Sequence, residues 1–227
     1  MLGRTHYVGG AIAGLGAIQY LSSMGLMIPD VPFLVQCAIT YPAASYGSVF
    51  LDFDQSEESI PIKSPMSMLV HDTLIGLGAR HRTWHTHGLD FIGGLCFLAI
   101  VLATFGPIFF ARLAGYGLPL EDFVLFFSSL GFAILRLMVI GFCFGVLSHL
   151  VLDMFTRAGI PLLSKKKVHL RFVPDHERYA AGSPYELRFR KVLTRIFWCL
   201  FILMCYLHIP MLQELVSNIV VFAKGVV

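Results

Sequence analysis

Residues 123–152 form an apolar run, interrupted at Arg136, that exceeds the roughly 20 residues a helix needs to cross a hydrocarbon core. The run closes on Ser148-His149-Leu-Val-Leu-Asp153, and Gly159 and Pro161 supply a stop soon after. A helix that begins in the apolar run and continues through Asp153 places His149 and Asp153 at i and i+4, one turn apart on one face. An imidazole and a carboxylate at that spacing can bind one metal ion, or one can orient the other. Neither sits cheaply beside a membrane core without a partner, so both are functional candidates. The competing reading is a His–Asp pair that holds two helices together.

Composition extends the argument to the whole chain. Of 227 residues, 56% are hydrophobic and 14% are charged, with a mean hydropathy of +0.74. Soluble domains carry about a quarter charged residues, so the chain reads as an integral membrane protein. Its length suits a single domain over residues 1–227. The expected fold is an all-α, polytopic membrane bundle of about five transmembrane helices, with spans near 7–28, 31–50, 91–111, 126–152 and 196–222. The first span is crowded with Gly and Ala, which lets a neighbour approach closely. Pro42 lies inside the second. Arg136 either snorkels or pairs inside the bundle, and both options stay open. Pro210 is expected to bend the last span. The five cysteines fall in apolar segments with no C-x-x-C spacing, and they read as small buried hydrophobes.

Residues 157–195 hold ten of the seventeen Lys and Arg residues, as expected of a cytoplasmic loop or one resting on anionic headgroups. Headgroup anchoring is preferred to direct nucleic-acid binding. Within this loop, residues 168–172 alternate with period two, like a short β segment. Ser183-Pro184-Tyr185-Glu186 has the form of a capping box with proline at the first helical position, and it begins a helix that is polar at first and becomes the last span near residue 196.

With the basic loop inside and five crossings, the N-terminus is cytoplasmic. His6, Asp52, Asp54, His81, His85, His87, His149 and Asp153 then share the cytoplasmic face. Arg4, Lys63, Arg80 and Arg82 fall there too, in keeping with the positive-inside rule. Such a set suits one composite site built from helix ends. Neutral imidazoles with two or three carboxylates suit a divalent metal, zinc first, with manganese or iron as alternatives, as one ion or two. A metal pair would clamp the attacking and leaving oxygens of a phosphoester. Asp52-x-Asp54 alone could equally be a solvated turn. Arg82 could clamp a phosphate or simply pair with Asp52 or Asp54. His71, His169, His176 and His208 have no partner at motif spacing and read as structural.

The pieces together resemble a known family. They are Thr5-His6, Gly47-Ser48 leading to Asp52-Phe53-Asp54, His81-Arg82 followed by Thr86-His87, and Ser148-His149 through Asp153, Thr156, Gly159 and Pro161. They are similar to the YdjM family of bacterial inner-membrane metal-dependent hydrolases, whose type member is linked to LexA. That resemblance implies metal ligands at His6, Asp52, Asp54, His81, His87, His149 and Asp153, a multi-pass inner-membrane location, and a LexA-type repressor as a partner. The family has proline where Leu51 stands. Its His-Arg motif is one residue shorter, so His85 and His87 compete for one role, and Thr86 favours His87. More loosely, the His-x-x-x-Asp helix is similar to that of zinc-dependent phospholipase C and related nucleases.

The function expected is a membrane-bound, metal-dependent phosphoester hydrolase in contact with the lipid bilayer, with Asp54 handling the proton and Arg82 holding phosphate. The alternative is a non-enzymatic membrane protein: a metal sensor, a permease or a docking partner of a regulator. A permease would place its ligands near the bilayer midplane on broken helices, whereas these fall at helix ends.

Overall fold

The computed structural model describes residues 3–29, 31–52, 88–114, 130–156, 159–163, 166–170, 182–210, 212–214, 216–217 and 220. Among them are α1 (Gly3–Ser23), α2 (Phe33–Phe50), α3 (Leu89–Ala114), α4 (Leu130–Met154), β1 (Ile160–Leu163), β2 (Lys166–Leu170) and α5 (Pro184–His208). Helices α1, α2 and α4 pack mutually, α3 leans on α4, and α5 leans on α1.

The start of α1 lies with the ends of α2 and α4, so α2 and α4 run parallel and α1 runs against them. At the opposite end of the bundle, Gln36 ties the α1–α2 connection. Its buried amide donates to the carbonyls of Ile28 and Val31 and accepts from the Ile28 N–H. Arg136 sits at the same end, where its guanidinium donates to the Leu26 carbonyl at 2.9 Å. The arginine inside the apolar run is therefore spent on a carbonyl beyond the end of α1.

Close approach of α2 and α4 follows from their small residues. Lipid chains are as apolar as leucine, so helices in a bilayer associate through packing and gain most where backbones come near. A Cβ at Gly145 would run into the Ala44 carbonyl of α2, and one at Gly47 would run into the Phe142 carbonyl of α4. Around this seam lie two apolar clusters. One holds Leu15, Ile18, Leu21, Leu137 and Ile140. The other holds Leu51, Cys96, Cys143, Val146, Leu150, Met154 and Ile160.

Helix α4 stops just past Asp153 for a local reason. The Thr156 hydroxyl donates to the Asp153 carbonyl at 2.8 Å, and Gly159 N–H returns to Thr156. Gly159 has φ +63°, a conformation glycine adopts without steric cost. The chain then enters an antiparallel hairpin in which Ile160 faces Leu170 and Leu163 faces Lys166.

The expectation of five crossings needs correction. Among the described residues, Leu130–Met154 and Pro184–His208 are the helices long and apolar enough to cross a membrane, and α3 contributes a shorter apolar stretch, Ile92–Gly106. Helices α1 and α2 have the length, but Gly, Ser, Thr, Gln and Tyr dilute their apolar content. The last helix begins at Pro184, as its capping box leads one to expect, so Arg188, Arg190, Lys191 and Arg195 stand on its polar first part. It ends at His208 because Ile209, which precedes Pro210, is extended at φ −117° and ψ 99°.

The seam gives a paired test. Gly145→Ala should lower stability by about 1–3 kcal/mol, because the obstructing atom is backbone and cannot swing away. Gly94→Ala, where an added Cβ meets nothing within 4 Å, should leave stability unchanged or slightly raised. Thermal unfolding of the two variants in detergent compares them directly. Equal melting temperatures would remove the seam from the account.

Candidate metal site

Four side chains from three helices meet where the bundle ends. His6 comes from the first turn of α1, Asp52 from just past α2, and His149 and Asp153 from the last turns of α4. All are between 0% and 2% exposed. His6 Nε2 lies 3.3 Å from Asp153 Oδ1 and 3.9 Å from Asp52 Oδ2. His149 Nε2 lies 3.6 Å from Asp153 Oδ2 and 3.8 Å from Asp52 Oδ1. The two imidazole rings stack with centroids 3.9 Å apart and planes 15° from parallel.

The tautomer of His149 follows from its other nitrogen. Nδ1 lies 2.7 Å from the Ser48 carbonyl, which can only accept, so Nδ1 is the donor. Ser48 belongs to the last turn of α2, where carbonyls lack an intrahelical partner. In the neutral ring Nε2 then carries a lone pair, and that lone pair faces two carboxylates. Acceptor against acceptor is unfavourable unless a proton or a cation lies between them. The Ser48 contact is the kind of outer hydrogen bond that orients a ligating histidine.

The spacings fit a cation. Ligands about 2.0–2.1 Å from a tetrahedral ion stand about 3.4 Å apart. The four N–O separations here run from 3.3 to 3.9 Å, beyond the roughly 2.7–3.2 Å of direct N–H···O bonds. His6, His149 and Asp153 each offer a ligand atom within 4.8 Å of the others, a group that could hold a metal ion. The donor set of two imidazoles and carboxylates suits zinc, manganese or iron.

Of the residues singled out from sequence, His6, Asp52, His149 and Asp153 are brought together. Asp54, His81, Arg82, His85 and His87 lie outside the described residues. His208 stacks on Phe33 with centroids 4.6 Å apart, away from this cluster.

Glu186 was overlooked as part of the site. It is fully buried beside the start of α1. Its Oε1 accepts from the Thr5 hydroxyl at 2.7 Å, and its Oε2 accepts from the Gly182 N–H at 2.6 Å. Ser183 caps the same helix by accepting from the Glu186 N–H. The capping-box spacing thus serves a second end. A glutamate at the third helical position pins the helix turn that carries His6. The signal was present in Ser183-x-x-Glu186, but its partner Thr5 lies far away in sequence.

A helical bundle with, among the described residues, two helices long and apolar enough to cross a membrane, and with a buried His/Asp cluster at one end, is that of a membrane protein with a candidate metal centre. The model of the YdjM inner membrane protein family matches residues 1–216, and the chain belongs to that family. No curated protein and no solved structure matches it.

Glu186→Ala should weaken zinc binding by less than the roughly 10–100-fold lost with a partner bonded directly to a ligand, because it acts through Thr5, while Glu186→Gln, which keeps an acceptor for Thr5, should keep most of the affinity. Titration of purified, metal-stripped protein with zinc reads both. Wild-type affinity in the alanine variant would confine Glu186 to capping α5.

Proposed function

We propose that the protein is a membrane-bound, metal-dependent hydrolase of phosphoester bonds. The observation that supports this most is the convergence of His6, Asp52, His149 and Asp153 at helix ends, with ligand-like spacings and the orienting Ser48 carbonyl. In this reading His6, His149 and Asp153 hold the ion, and Asp52 completes its shell. A divalent ion, when bound, supplies Lewis acidity toward a phosphoryl oxygen and makes water acidic enough to attack near neutral pH. Ser48 keeps the His149 ring in place, and Thr5 with Glu186 fixes the turn that carries His6. Asp54, His81 and His87 supply the remaining ligands, for a second ion where two are bound. Where Asp54 is not itself a ligand it takes the proton from the attacking water, and Arg82 holds the phosphate oxygens.

The site end faces the cytoplasm in this proposal. Arg188, Arg190, Lys191 and Arg195 stand on the first turns of α5, which Glu186 ties to the start of α1. Basic residues flanking a span favour the cytoplasmic side. The N-terminus is then cytoplasmic as well.

A second reading has one observation in its favour. All four converging side chains are almost fully buried, and closed sites are the mark of structural rather than catalytic metals. In that reading the protein is a non-enzymatic metal-binding membrane protein such as a sensor.

Two measurements separate these readings. Elemental analysis of the purified protein should find zinc, manganese or iron in wild type and little in the double variant His149→Ala/Asp153→Ala. Equal and negligible metal in both ends either reading. Hydrolysis of a soluble aryl phosphate by the metal-loaded protein then decides for the enzyme. The same metal content without hydrolysis of any phosphoester offered favours the sensor.

A further inference from the structure

Away from the metal site, two thiols face each other across the contact between α3 and α4. Cys96 and Cys143 are buried and free, and their side chains form a hydrogen-bonded pair. Both belong to the packed cluster that holds Leu51, Val146 and Leu150. Both also line a cavity of about 490 Å³ on the outside of the bundle, together with Ala99 and Met138. The cavity edge carries the exposed side chains of Leu95, Leu135 and Met138, so it opens where lipid chains lie.

Three features separate this pair from ordinary packing. The first is proximity. A disulfide requires two side chains aimed at each other at short range, and hydrogen-bonded thiols on facing helices already meet that condition. The second is leverage. Among the described elements α3 packs chiefly on α4, with a smaller contact to β1. A covalent bond at that contact would close a long stretch of chain, the case in which a cross-link stabilises most. The third is seclusion. Cys143 precedes His149 by six residues on α4, about 9 Å of helix rise, so the thiols lie in the apolar belt of the bundle. Glutathione and thioredoxin keep cytosolic thiols reduced, but both are water-soluble and have no path through hydrocarbon. A reagent that reaches these sulfurs has to dissolve in the bilayer.

We propose that Cys96 and Cys143 are a modification site, a dithiol that an organic hydroperoxide dissolved in the bilayer oxidises to a disulfide joining α3 to α4. The thiolate is the attacking form, and the second thiol is there to donate a hydrogen bond to it. The thiolate attacks the terminal peroxide oxygen, the O–O bond breaks, and the sulfur becomes a sulfenic acid. The alkoxide takes up the thiol proton and leaves as an alcohol. The second sulfur then attacks the sulfenic sulfur, the S–S bond forms as the S–O bond breaks, and the hydroxyl leaves with the remaining thiol proton as water. The two thiols give up two electrons and the peroxide receives them. The bond ties α3, which begins two residues after His87, to the helix that carries His149 and Asp153. No step uses the metal, so the site stands apart from the hydrolase reading.

The test uses the full chain, reduced and reconstituted in phosphatidylethanolamine/phosphatidylglycerol vesicles. Cumene hydroperoxide, which partitions into the bilayer, is compared with hydrogen peroxide, which partitions poorly. Free thiols are then alkylated in denaturant and the peptides mapped by mass spectrometry. Cumene hydroperoxide should link the Cys96 and Cys143 peptides several-fold faster than hydrogen peroxide does. The oxidised protein should melt roughly 4–16 °C higher in detergent, and the double variant Cys96→Ser/Cys143→Ser should show no such rise. In the single variant that keeps the attacking cysteine, dimedone should trap a sulfenic acid on the remaining sulfur. Alkylation of both thiols after cumene hydroperoxide overturns the proposal, as does a disulfide that recruits Cys37, Cys199 or Cys205 in place of this pair. Equal rates with the two peroxides overturn the route through the bilayer.

Discussion

The contact on which the rest of the structure depends is the glycine seam between α2 and α4. With Gly145 against Ala44 and Gly47 against Phe142, the two helix backbones approach until their carbonyls set the limit. That approach brings the Ser48 carbonyl to His149 Nδ1 at 2.7 Å and Asp52 Oδ1 to within 3.8 Å of His149 Nε2. A helix pair held apart by larger side chains would leave the histidine without its orienting acceptor and the two carboxylates in separate places. The motif spacing on α4 supplies ligands. The seam makes them a site.

The ends of the helices matter as much as their faces. A helix end carries backbone groups with no intrahelical partner, and this bundle uses them. The Ser48 carbonyl at the end of α2 orients a ring, and the first turn of α5 directs a glutamate at Thr5. The Thr156 hydroxyl closes α4 just past Asp153, two turns after His149, which places Asp153 in the last turn of the helix. Building at helix ends also lets polar groups gather at the margin of an apolar bundle, where they are less costly than at its centre.

Much of this was legible in the sequence. The i, i+4 spacing of His149 and Asp153 needs only helical geometry, and the motif Asp153-x-x-Thr156-x-x-Gly159 encodes its own stop. Asp52 and His6 were legible as members of a shared face. What was not legible depends on distance. The Thr5–Glu186 bond joins residues 181 positions apart, and no local pattern announces it. Counting crossings from apolar runs also overreached, because α1 and α2 use small polar residues to pack against neighbours rather than to face lipid. Position 209 shows the opposite case. Pro210 does more than bend the last helix, since its ring forces the preceding residue out of helical conformation.

Electrostatics then bears on what the site can hold. Two imidazoles and two carboxylates share a pocket that water hardly reaches, where charge is stabilised by pairing or by a bound cation. Two protons, one on each ring, would balance it on paper. They would also place two imidazolium rings in a stack with centroids 3.9 Å apart, where like charges repel at short range and in low dielectric. One divalent cation held by His6, His149 and Asp153 offsets carboxylate charge without that repulsion and accepts the His149 Nε2 lone pair. The stacking that makes a doubly protonated pocket costly is the arrangement that suits two histidines sharing one ion.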